Sequence, residues 1–169
     1  MALRDRVLVV LLWISVIGWS TWLGGTLYQM LVVVPMWSAS PPDSVIAFFR
    51  GTDYNRLILH FFGPPFMLAR TLPPLLALIA GWHSPRHRRS LLIAVACLAF
   101  AVVFTFSVVY PINAVLFQQA GGAHSASEVK EMAEKWIFAD RLRFAVGIIA
   151  FLALLKAFRL PPPCDETPG

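Results

Sequence analysis

The sequence predicts an all-α fold: an antiparallel bundle of four transmembrane helices, both termini cytoplasmic, the fourth helix extended on the outer side. Three observations carry this expectation. Of 169 residues, 58% are hydrophobic and only 14% are charged, whereas soluble domains carry about a quarter charged residues. Four apolar stretches, near residues 7–37, 57–82, 91–117 and 136–158, each reach the ~20 residues that cross a ~30 Å hydrocarbon core. None alternates with period two, so helices rather than a closed barrel must satisfy the backbone in lipid. Four buried helices of a soluble protein would leave too little polar surface to cover them. The length suits one domain, residues 1–160. The proline-rich residues 161–169 are expected to form a disordered cytoplasmic tail.

The net charge of +5 does not point to nucleic acid, because the charges flank apolar spans and no basic groove with interleaved aromatics is present. Instead the charges set orientation. A tight basic cluster, Arg86, Arg88 and Arg89, lies in the loop between the second and third spans, and such loops resist translocation. That loop and both termini are therefore expected on the cytoplasmic side. The first apolar stretch is about twice the 7–15 residues of a signal-peptide core, so it is read as a retained span. Cys97 falls within the third span and Cys164 in the tail, which builds no disulfide framework. No internal repeat is evident.

The first span carries Gly18, Thr21, Gly24, Gly25 and Thr26, small residues that admit a close helix neighbour. It ends near Pro35 and Trp37. The second contains Gly63-Pro64-Pro65 and Pro73-Pro74. Each proline removes a donor and displaces the carbonyl four residues earlier, which leaves either a break or a packing kink. The last span starts outside the membrane, where Ser125 and Glu128 have the spacing of a capping box. Only residues 144–155 of it are cleanly apolar, about 18 Å of helix and too short to cross alone. Asp140, Arg141 and Arg143 are therefore drawn into the outer leaflet.

Polar groups in lipid usually face a bundle interior or a cavity. In four antiparallel spans, Tyr28, Gln29, His60, Tyr110, Asn113, Asp140 and Arg143 share the outer half, with Arg70 deeper. Structural readings stand beside functional ones. The tyrosines can anchor at the interface, Arg141 can snorkel, Asn113 can cap a helix, His60 can be a packing histidine, and Arg143 can simply pair with Asp140. No two histidines face one another across the bundle for a bis-histidine haem, no cluster has metal-ligand spacing, and no Ser/His/Asp triad stands out.

The valine run to proline in LVVVPMW, the segment YPINAVLF and the stretch KWIFADRLR resemble the anthrone oxygenase-like family of small membrane proteins over about residues 18–158. On this resemblance Pro111, Asn113, Trp136 and Arg143 occupy recurrent positions. Asp140 stands where the family has Asn or His. The resemblance implies four membrane helices and, as in some relatives, oxidation of polycyclic anthrones by dioxygen. The corresponding expectation is an oxygenase site in the outer leaflet of a bacterial cytoplasmic membrane. There His60 takes a proton, Asn113 and Arg143 stabilise the oxyanion, and Tyr28, Gln29, Arg70, Tyr110, Trp136 and Asp140 bind the substrate. The cofactor is left open. Expected partners are membrane lipid, an apolar small molecule and a second copy of the chain. A non-catalytic membrane subunit and a small lipid or anion transporter are the alternatives.

Overall fold

The computed structural model describes residues 3–53, 57, 60–118 and 124–161; residues 162–169 of the expected tail lie outside the described residues. All regular structure among them is helical. Helix α1 runs Leu3–Tyr28, then through a π turn, Gln29–Val33, into Val34–Ser38. A short helix α2, Asp43–Gly51, follows. Helix α3 is Pro64–Ala80. Helix α4 is Pro85–Phe104, prolonged by a π turn Thr105–Val109, the turn Tyr110–Asn113 and a second π turn Ala114–Gln118. Helix α5 is Ala126–Phe158, 33 residues without interruption, or about 50 Å.

Among the described residues, three stretches are long and apolar enough to cross a membrane: Leu3–Ser38, His60–Ala80 and Pro85–Phe117. The chain is thus an integral membrane protein. Helix α5, whose apolar run is broken by Asp140, Arg141 and Arg143, is not one of the three. Large apolar side chains such as Leu31, Ile79, Val103 and Leu152 are exposed on the outer faces of the helices, a distribution that suits lipid rather than water. Inside, α1 and α4 each pack on both α3 and α5. An inner core gathers around Leu12, Trp19, Leu91 and Leu154. A second core at the opposite end joins Trp37, Val45, Leu116 and Trp136, with α2 packed over it.

Local chemistry explains where these helices start and bend. Ser125 forms the expected capping box: its N–H donates to Glu128 Oε2 at 2.8 Å, and the Glu128 N–H donates to Ser125 Oγ at 3.3 Å. The Ser125 backbone N–H, helped by its hydroxyl, holds the Glu128 carboxyl below its ordinary range. The break in the second span lies at Gly63, whose extended backbone precedes Pro64; a proline in the first turn needs no donor there. Through Pro73 and Pro74 the helix continues.

Prolines also account for two of the π turns. The Val34 N–H reaches back five residues to the Gln29 carbonyl, and the Tyr110 N–H does the same to Thr105. Each donor directly precedes a proline, Pro35 or Pro111, and the widened turn makes room for a ring that would strike an α-helical carbonyl. Gln29 to Pro35 and Thr105 to Pro111 share one pattern: a polar residue, two others, Val-Val, one more, then Pro. This short echo between α1 and α4 qualifies the impression that the chain has no internal repeat.

Helix α3 meets α1 at a glycine. A Cβ on Gly18 would lie 3.2 Å from the Ala69 carbonyl oxygen, an oxygen that Pro73 leaves without its helical donor. Because the neighbour is backbone, it cannot swing aside. Gly18→Val should therefore cost about 1–3 kcal/mol, read as a lower melting temperature in detergent. Gly24→Val, where nothing lies within 4 Å, should change stability by less than about 0.5 kcal/mol. Equal melting shifts for the two variants would refute this account of the α1–α3 contact.

Candidate functional site

Helix α5 presents Trp136, Asp140, Arg143 and Gly147 at spacings of four, three and four residues, which align along one face. Trp136, Asp140 and Gly147 are buried. At the level of Trp37 the Trp136 Nε1–H donates to Asn113 Oδ1 at 2.7 Å, joining α5 to α4. The Trp136 ring is fixed edge-on to Trp37, with centroids 5.3 Å apart, and against Phe117 at 6.3 Å. Asn113 does not end its helix, since the chain continues into a π turn, and its side chain reaches across to the indole.

Two turns further along α5, about 10 Å, the Arg143 guanidinium donates to Asp140 Oδ1. Its Nη1 also faces Thr105 Oγ1 at 3.4 Å, while the Thr105 hydroxyl donates to the Ala101 carbonyl at 2.7 Å. Thr105 opens the π turn of α4, and π turns recur at functional sites. Asp140 is only 2% exposed. Asp140 Oδ2, Arg143 Nε and the buried Thr26 Oγ1 have no hydrogen-bond partner among the described residues.

Arg70 supplies a second, half-buried cation. Its guanidinium lies over Trp22, 4.7 Å from the ring centroid, and near Trp19 at 5.5 Å. Cation–π attraction of this kind strengthens when the charge is desolvated. The rings, rather than carbonyls freed by Pro73 and Pro74, are its recorded neighbours, and its Nε has no hydrogen-bond partner among the described residues. Trp22 links the two helices, because a Cβ on Gly147 of α5 would come 2.5 Å from its ring.

Of the residues singled out in the sequence, the fold joins Asn113 to Trp136 and Asp140 to Arg143, with Arg70 close by. Gln29 is buried at the π turn of α1, in the position that Thr105 holds in α4. His60, Tyr28 and Tyr110 are exposed, outside both polar levels, and Tyr110 packs edge-on to Phe106. The sequence reading missed Thr105, Trp19 and Trp22 and counted Thr26 only as a small residue. The shared spacing of Gln29 and Thr105 from their prolines was the available signal for Thr105. Among the described residues, no three His, Cys, Asp or Glu side chains gather in a way that could hold a metal.

The Asp140–Arg143 pair makes a sharp energetic prediction. Removing one partner strands the other charge in low dielectric, whereas removing both does not. Arg143→Leu and Asp140→Leu should each destabilise by about 3 kcal/mol or more, and the double variant should lose less than the sum. Additive losses in a double-mutant cycle would show that the two groups are not coupled.

Comparison with known proteins adds one finding. The family model described as anthrone oxygenase matches residues 56–153, which is more than half of the chain and includes both polar levels of α4 and α5. No curated protein and no solved structure matches the chain.

Proposed function

This chain belongs to the anthrone oxygenase family, and on that premise we propose that it is a membrane oxygenase that converts an activated methylene of an apolar phenolic polycycle to a carbonyl. The observation that carries the reading is Asp140, a buried carboxylate held by Arg143 through one oxygen while the other oxygen has no partner among the described residues. Such a group is oriented and desolvated, which suits proton abstraction next to a carbonyl. His60, the base expected from the sequence, is exposed at the start of its span, so the role passes to Asp140.

Asp140 removes a proton from the methylene carbon and leaves a delocalised carbanion. Dioxygen adds to that carbon and forms a C–O bond and a peroxide, which takes up the proton. Loss of the second C–H proton then breaks the O–O bond, forms the C=O bond and expels hydroxide, which leaves as water. Carbon is oxidised and dioxygen reduced, so the net change is CH2 plus O2 to C=O plus H2O. Arg143 stabilises the negative oxygen as it develops. Asn113 and Trp136 cap the site beneath the outer aromatic cluster. Formation of the anthraquinone from anthrone by the protein in nanodiscs, followed with oxygen uptake, tests the reading. Asp140→Asn should lower the rate by about 100-fold while the protein remains folded. Turnover by the variant at the wild-type rate would remove Asp140 from the chemistry.

We further propose that α5 is a fourth crossing, in an antiparallel bundle with both termini cytoplasmic. Trp13 of α1 meets Phe158 of α5, and Trp22 lies against Gly147. These contacts support opposite chain directions for that pair. Arg4 against the Ala80 carbonyl and Gly25 beneath Phe61 support the same for α1 and α3. Mutual neutralisation of Asp140 and Arg143 lowers the cost of their immersion. Exposed Arg86 and Ser127 lie at opposite ends of this arrangement. With Cys97 and Cys164 replaced by serine, Ser127→Cys should react with an impermeant maleimide outside intact cells and Arg86→Cys should not. The reverse pattern would invert the topology.

A further inference from the structure

The charges around the site do not balance. Two guanidinium groups converge on Trp22, Arg70 lying over its ring and Arg143 standing one turn before Gly147, which packs against it, yet the one carboxylate on that face of α5, Asp140, is bound to Arg143. Arg70 is left with the faces of Trp19 and Trp22. Ring faces soften a buried cation but do not neutralise it. Arg70 Nε, Arg143 Nε, Trp19 Nε1 and Thr26 Oγ1 are buried polar atoms without hydrogen-bond partners among the described residues, against a single unpartnered acceptor oxygen, Asp140 Oδ2, and the guanidinium and indole nitrogens can only donate. The side chain of Thr26 is itself 2% exposed. Charge and unused donors both call for an acceptor that carries a negative charge.

Depth restricts what that acceptor can be. Arg70 lies ten residues into the stretch that begins at His60, about 15 Å along the helix and near the middle of a ~30 Å core. A phospholipid headgroup does not reach that level without dragging its charge through hydrocarbon. A flat aromatic molecule with one ionised oxygen does, because its rings remain in apolar surroundings.

We propose that Arg70 and Arg143 form an oxyanion subsite which selects the ionised form of an aromatic ligand, with Arg70 as its specificity-determining residue. The inference rests on the oxygenase reading, since the anion in question is the enolate or phenolate of that substrate. Binding the anion makes Arg70 more than a structural cation: it favours the deprotonated ligand before dioxygen arrives.

Binding of anthraquinone-2-carboxylate and of the neutral anthraquinone-2-carboxamide to the protein in phosphatidylcholine nanodiscs, followed by tryptophan quenching and corrected for empty discs, separates the possibilities. The wild type should prefer the carboxylate by about tenfold or more. Arg70→Met should bring that ratio near one while retaining carboxamide affinity. Asp140→Asn, which removes the competing negative charge, should widen the ratio and provides a test that does not depend on an Arg70 variant folding. Equal wild-type affinities, or a preference that survives in Arg70→Met, would overturn the subsite alone. Failure of the wild type to bind either compound would overturn the polycyclic oxygenase reading along with it.

Discussion

An arginine inside an apolar helix is tolerable only if something nearby takes up its charge, and much of this molecule is organised around that requirement. Asp140 stands one turn before Arg143 on the same face of α5, so the pair assembles as soon as the helix forms and needs no tertiary partner. The surrounding helices then complete the shell. Thr105 of α4 approaches from one side, and Trp22 of α1 packs on Gly147 one turn beyond. Helix α3 brings the second cation, Arg70, over the same tryptophan. The four helices thus contribute to a polar level that none of them could bury alone.

Outside that level the packing is of another kind. The core around Trp37 is aromatic, with Trp37, Phe117 and Trp136 in mutual edge contact and Phe49 tilted against Trp37 and Phe117, and the amphipathic helix α2 lies over it through Val45. The Trp136 indole N–H donates to Asn113 there, so the buried N–H keeps a partner. Two levels joined by the same pair of helices result: a rigid aromatic end and, about 10 Å below it, a charged interior.

Much of this could be read along the chain. The spans, the Ser125 capping box and the long helix α5 follow from composition, spacing and local hydrogen bonding, all of which are encoded within a few residues. The neighbours Asp140 and Arg143 were legible for the same reason. Contacts between helices were not. That Asn113 meets Trp136, or that Arg70 finds two indoles instead of freed carbonyls, depends on rotation about helix axes, which a sequence does not state. Prolines were informative to different degrees. Pro73 and Pro74 left a break and a packing kink equally open, and α3 continues through them, while Pro35 and Pro111 marked π turns that went unread because their shared spacing lies more than seventy residues apart.

Those π turns divide each of α1 and α4 into two rods of different angular phase. A π turn adds a residue to the circuit, so everything beyond it is rotated by about 100° relative to an unbroken α-helix. The inner rod can then direct one set of small and apolar residues toward the helix neighbours, while the outer rod aims Trp37 or Asn113 independently of that set. A helical wheel drawn through the whole span superimposes two faces and shows neither clearly. For the same reason, length and composition are unequal constraints here. Exchanging one apolar residue for another in these turns leaves the phase intact, whereas deleting a single residue would swing the outer ends of these helices away from α5 without altering the hydrophobicity of the span.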